Sequence, residues 1–208
     1  MDECAAMATS TPDIPAPVST SYCVPHLTEF SVECKVLKLN GCWFTAKDSQ
    51  GSLLFQVQRK WPSLHSKHTV CDSRERPIVQ LSKKPGVWRP IWEAIRANGD
   101  QQPVFVMKKS SMNPLSTSFD VFLGTNISMS RPDFIMKRDF FSNNYTICYN
   151  DEPIAQVIMK LSFRNTSYMV IVKPGVDRAF ILLVGCDYYS NDAGISKQES
   201  LTFSFYFP

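Results

Sequence analysis

No two of the seven cysteines form a C-x-x-C pair, and their spacings are irregular. Close ligand pairs mark most zinc sites, and an even, patterned count marks most disulfide scaffolds. Neither organises this chain, so Cys4, Cys23, Cys34, Cys42, Cys71, Cys148 and Cys186 read as reduced thiols. No apolar run reaches the ~18 residues that a membrane-spanning helix needs. No G-x-S-x-G, H-E-x-x-H or P-loop pattern occurs, so no enzyme site is visible and neither a cofactor nor a metal is expected. An excess of one charge is also lacking. The 22 Lys and Arg stand against 19 Asp and Glu, and a net charge of +3 gives no direct nucleic-acid signal. The N-terminus carries Asp2 and Glu3 and lacks a basic start leading into an apolar stretch, which argues against a secretory signal. These absences together describe an intracellular, cytoplasmic chain. The sequons at Asn126, Asn144 and Asn165 are then chance matches.

What is present is enough for one domain with a sizeable core. The chain has 208 residues, 44% hydrophobic and 12% aromatic. Residues 1–24 are rich in Ala, Ser, Thr and Pro, with Pro12, Pro15 and Pro17 denying the backbone N–H groups that regular pairing needs. They read as a mobile leader whose last residues lie on the domain. The barrel-forming portion is expected over 25–190, and 191–208 as a tail. Within that tail, Leu201, Phe203, Phe205 and Phe207 would share one face if extended.

Between leader and tail runs a series of short β-rich segments separated by turn signals. They are Ser31–Leu39, Cys42–Lys47, Ser52–Arg59, Lys67–Asp72, Pro77–Ser82, Pro90–Ala97, Pro103–Lys108, Ser116–Leu123, Asp133–Arg138, Tyr145–Asn150, Ile154–Leu161 and Tyr168–Lys173. In Ser52–Arg59, Leu53, Phe55 and Val57 share one face and Leu54, Gln56 and Gln58 the other, the period of a half-buried strand. About twelve such runs at regular spacing signal a barrel or sandwich. Pro90–Ala97 reads as a strand, with a helical turn as its alternative.

The pattern changes at Pro174-Gly175-Val176-Asp177. Proline suits a first helical turn, and Asp177 puts a carboxylate near the positive end of a helix dipole. Ala179–Cys186 is then apolar on every side. A helix of that kind is membrane-spanning or wholly buried, and this run is too short to span. A buried helix is expected, with a strand as the runner-up.

Four stretches carry a family resemblance when taken in order. They are Cys23–Pro25, Gly51–Lys60 with Ser63–Val79, Val104–Asn126, and Val176–Asp187. They resemble the plant LURP-one-related family and cover residues 22 to 189. The resemblance implies a mainly β, twelve-stranded closed antiparallel barrel around a central apolar C-terminal helix, the shape attributed to Tubby C-terminal-like domains and phospholipid scramblases. Closure would also remove exposed strand edges. The chain departs from the family pattern at His68, where a tryptophan is usual, and at Gly185 and Cys186, where bulkier aliphatic residues are.

Candidate chemistry is sparse. His65 and His68 stand at i, i+3 with Cys71 beyond, but carboxylates are few nearby, so a solvated hairpin loop is expected rather than a metal site. Asp120 reads as structural or solvated, and Cys186 as an unreactive core thiol. Four basic pairs are more informative: Arg59-Lys60, Lys83-Lys84, Lys108-Lys109 and Lys137-Arg138, each at the end of a predicted strand. Strand ends cluster at barrel rims, and converging Lys and Arg bind phosphates. The plainer reading is that strand ends are solvated and lysine is common there. The resemblance implies a non-enzymatic module for phosphoinositide head groups, peripheral at the plasma membrane or nuclear, with a regulatory role in plant defence. On that reading Lys108, Lys109, Arg59, Lys60 and Lys67 are the candidate contacts. A protein scaffold without lipid binding is the alternative, its partners unspecified, and lipid scrambling is a weaker third.

Overall fold

The structure, a computed structural model, describes residues 13–34, 42–59, 67–87, 90–111, 118–139, 144–161 and 166–192. Among the described residues twelve strands follow one another: β1 (Thr28–Cys34), β2 (Cys42–Asp48), β3 (Leu53–Arg59), β4 (Lys67–Asp72), β5 (Pro77–Lys83), β6 (Ile91–Arg96), β7 (Pro103–Lys109), β8 (Phe119–Leu123), β9 (Phe134–Arg138), β10 (Tyr145–Tyr149), β11 (Glu152–Leu161) and β12 (Thr166–Val172). Each pairs antiparallel with its sequence neighbours, and β1 also pairs with β12, with Phe30 opposite Val170, so the sheet closes into a barrel. Closure leaves no unpaired edge.

The period-two pattern decides which side chains face inward. Phe55 and Val57 are buried, as are Val79 and Leu81, and Phe105 and Met107. The lumen they line is filled by an α-helix, α1 (Arg178–Asp192). Val176, Asp177 and every side chain from Ala179 to Val184 are buried, as is Cys186. Phe180 anchors the helix: its ring meets Phe105 edge-on at 5.2 Å and Phe134 at 4.7 Å. An all-round apolar helix is stable in water only where surrounded, and each fully buried large side chain contributes about 1.5–3 kcal/mol. The expected central helix is thus observed and the strand alternative is not. Gly185 lies within it, at a cost of about 1 kcal/mol relative to alanine.

Several segments differ from the sequence expectation. Strand β1 begins at Thr28, three residues before the expected Ser31, and residues 35–41 lie outside the described residues. The Pro90–Ala97 run holds the expected strand, β6, over Ile91–Arg96, and not the helical turn. The 201–208 segment lies outside the described residues. The larger difference concerns the leader. Residues 1–12 lie outside the described residues, and the packing expected for the leader's last residues extends back over residues 13–24. Val18 is 1% exposed, and its N–H donates to Asp177 Oδ2 at 2.8 Å. Arg96 Nη1 donates to the Val18 carbonyl at 2.7 Å, Arg178 Nε to the Tyr22 carbonyl at 3.0 Å, and the Gly175 N–H to the Val24 carbonyl at 2.8 Å. The Tyr22 ring stands edge-on to Phe55 at 5.4 Å. Proline-rich composition reports the lack of regular pairing, not the lack of packing. Here the free backbone groups are satisfied by distant side chains.

Candidate anion-binding rim

An antiparallel meander alternates direction, so the C-terminal ends of all odd-numbered strands meet at one end of the barrel. Arg59 ends β3, Lys83 ends β5, Lys109 ends β7 and Arg138 ends β9. One member of each basic pair, Arg59, Lys83, Lys109 and Arg138, therefore ends its strand at the same rim, and Lys67, first in β4, joins them. The ladders fix their order. Lys67 lies opposite Ser82, Lys83 opposite Trp92, Lys108 opposite both Ile91 and Asp120, and Lys109 opposite Phe119. The result is an arc over seven contiguous strands, β3 to β9. Lys160, exposed near the end of β11, carries the same sign at the same end. It is a single lysine, so a search for pairs passes over it. The turns at the opposite end hold both signs, with Asp48, Asp72, Glu75 and Asp100 beside Arg74, Arg76, Arg96 and Lys173.

The cations differ in engagement. Lys84 pairs with Glu93 at 3.0 Å, and Lys137 faces Asp151 at 3.9 Å, away from the rim. Lys108 lays its ammonium 4.2 Å from the Phe122 ring centre on the outer wall, a cation–π contact. Arg138 stacks 5.8 Å from the Tyr145 ring. Among the described residues Lys67, Lys83 and Lys109 form no ion pair, and all three stand at least partly in solvent. Alternation also sorts the pairs. Lys109 continues the lumen-side row of Phe105 and Met107 at the mouth, whereas Lys108 is on the outside. Asp120, opposite Lys108, accepts a hydrogen bond from Ser110 Oγ at 2.7 Å and is half-buried, a structural role. Arg59 holds the register opposite His68, and Lys60 lies outside the described residues.

The two-histidine reading is corrected. His65 lies outside the described residues, while His68 is in β4 and not in a solvated loop. It is 1% exposed on the lumen side with Val70, its ring 5.8 Å from that of Trp92. An imidazole beside an indole can fill the space that two large aromatic rings would contest, which suits the position where a tryptophan was expected. Among the described residues no cluster of three or more His, Cys, Asp or Glu is placed to hold a metal. Cys186 is buried and donates to the Leu182 carbonyl at 3.2 Å. Burial pushes the Cys148 thiol up.

The comparisons with known proteins agree with this architecture. The sequence model of the LURP-one-related family matches residues 28–185, from the first residue of β1 into α1. LURP-one-related 15 of Arabidopsis thaliana is 30% identical over 173 residues, covering 79% of this chain and 80% of that protein. Protein LURP1 of the same plant is 27% identical, covering 79% and 84%. An X-ray structure of an Arabidopsis thaliana protein superposes with a TM-score of 0.62 at 26% identity, over 82% of this chain and 96% of that one. With its match running over the twelve strands and into the helix they enclose, this chain belongs to the LURP-one-related family.

Proposed function

We propose that the chain is a non-enzymatic binding module that docks on anionic, phosphoinositide-bearing membrane surfaces through its basic rim. The observation that supports this reading is that Arg59, Lys83, Lys109 and Arg138, one member of each basic pair, end odd-numbered strands, whose C-terminal ends share one rim. Converging cations bind phosphate oxygens by charge and by forked hydrogen bonds. Lys108 and Lys109, with Arg59, Lys60 and Lys67, are the proposed contacts. The module would be peripheral and cytoplasmic, and would serve the regulatory role in plant defence that its family likeness implies. Each basic residue near an anionic bilayer contributes about 1 kcal/mol, so docking is weak and salt-sensitive. Joint charge reversal, Lys108→Glu with Lys109→Glu, should lower sedimentation with phosphoinositide vesicles roughly thirtyfold or more, and raised salt should weaken the unaltered protein likewise. A protein that stays in the supernatant at low salt would end the lipid reading.

A protein-scaffold role is the second reading, supported by Ile127, which stands 90% exposed in the β8–β9 connection at the opposite end. That segment is held in place by Asn126, whose amide donates to the Arg131 carbonyl at 2.8 Å and to Asp133 Oδ2 at 2.9 Å. Scrambling finds no support here. The central helix is enclosed, and among the described residues no helix is long and apolar enough to cross a membrane.

A further inference from the structure

The basic arc is too long for one ligand head group. Six interstrand steps of about 4.8 Å carry it from β3 to β9, roughly 29 Å along the rim and several times the width of a phosphorylated inositol ring. A contact of that length reads a sheet of charge. Within the arc, the hairpin joining β5 to β6 stands out. The Lys84 N–H donates to the Ile91 carbonyl at 2.8 Å and closes it. Gly86 then takes φ +71°, which a glycine adopts without strain, and the turn presents Val87 at 38% exposure, separated from the exposed Lys83 and Lys84 by Pro85 and Gly86. Among the described residues Val87 is the one large hydrophobic side chain exposed at this rim, since Leu27, Ile127 and Met129 belong to the other end.

Resting on the docking function proposed above, we propose that the Lys83–Val87 turn is a shallow membrane wedge. Its lysines meet lipid phosphates while Val87 enters the headgroup–acyl boundary of an anionic bilayer. Apolar groups next to cations are what interfacial anchors combine, because burial of the apolar group adds affinity that salt does not screen. A nucleic acid would offer the same phosphates but no apolar layer for Val87 to enter. Binding should therefore follow the surface density of negative lipid rather than one head group's stereochemistry.

The test compares the full chain with Val87→Ser and with Ile127→Ser, an exposed apolar control at the opposite end. Each is sedimented with phosphatidylserine vesicles at low and raised salt. Val87→Ser should bind roughly five- to tenfold more weakly and lose the residual binding that the parent keeps at raised salt, while Ile127→Ser behaves as the parent. Soluble inositol phosphate should not displace the parent. Val87→Ser binding like the parent at every salt, or full displacement by the soluble head group, would overturn the wedge and leave rim docking standing. A parent that ignores vesicles but is retained on a duplex oligonucleotide would overturn both.

Discussion

The Asp177 carboxylate accepts the backbone N–H of Val18 at 2.8 Å, joining two residues 159 positions apart. The same oxygen accepts from Ser19 N at 3.0 Å, while Oδ1 accepts from Ala179 N at 3.0 Å and Phe180 N at 3.1 Å. One side chain thus caps the buried helix and ties down the segment that covers the mouth where the helix begins.

Removal of residues 1–20 should therefore destabilise the barrel. The deletion takes away two donors to Asp177 and the carbonyls that hold Arg96, leaving buried polar groups unpaired at about 1–3 kcal/mol each. A fall of roughly 10 °C in the thermal midpoint is expected for a chain of this size, read by differential scanning calorimetry. An unchanged midpoint would mean that the segment contributes no packing.

Asp177 also makes stability depend on pH. Burial, the largest influence, pushes its carboxyl above the ordinary value, against the four N–H donors that favour the charged form. The folded chain then keeps this proton at pH values where the unfolded chain has lost it. The contribution is full below the ordinary carboxyl pKa of about 3.9 and is lost as pH rises through the raised folded value. Asp177→Asn removes the titration and costs about 1–3 kcal/mol by mismatching N–H donors. In urea unfolding across this range, the parent's advantage over Asp177→Asn should shrink with rising pH. An advantage that grows would reverse the sign.

A charge in the lumen should not be tolerated. Leu182 and Phe180 are buried on all sides, and Leu182→Asp or Phe180→Asp would strand a carboxylate at a cost of several kcal/mol. Loss of soluble expression is expected for both. Parent-like yields and melting curves would be incompatible with an enclosed helix.

Much of the barrel was legible residue by residue. The Lys67–Asp72 run is strand β4 to the residue, and the all-apolar Ala179–Cys186 run is the lumen helix, because alternation and all-round apolarity report burial directly. The shared rim was less visible, although it needed only a count. One member of each pair ends an odd-numbered strand, and a meander then sends those strand ends to one end of the barrel. Strand order is a long-range property, so local patterns left the pairs as separate features. The Val18–Asp177 tie was hidden for the same reason, since backbone N–H groups leave no mark in side-chain chemistry. His68 was misjudged because two polar neighbours suggested a loop, whereas its lumen position follows from the phase it shares with Val70.

The β1–β12 seam has a consequence for synthesis. Eleven of the twelve strand pairings join neighbours in the chain and can form as each hairpin appears. The twelfth joins Thr28 to Val172, so a nascent chain has every hairpin but no barrel until its last strand has emerged. The plug that fills the lumen comes later still. Until then an open, one-sided apolar sheet faces solvent, the state in which strand edges pair with the wrong chain. Chaperone contact during those final residues, rather than during the first hairpins, is where production of this protein would be won or lost.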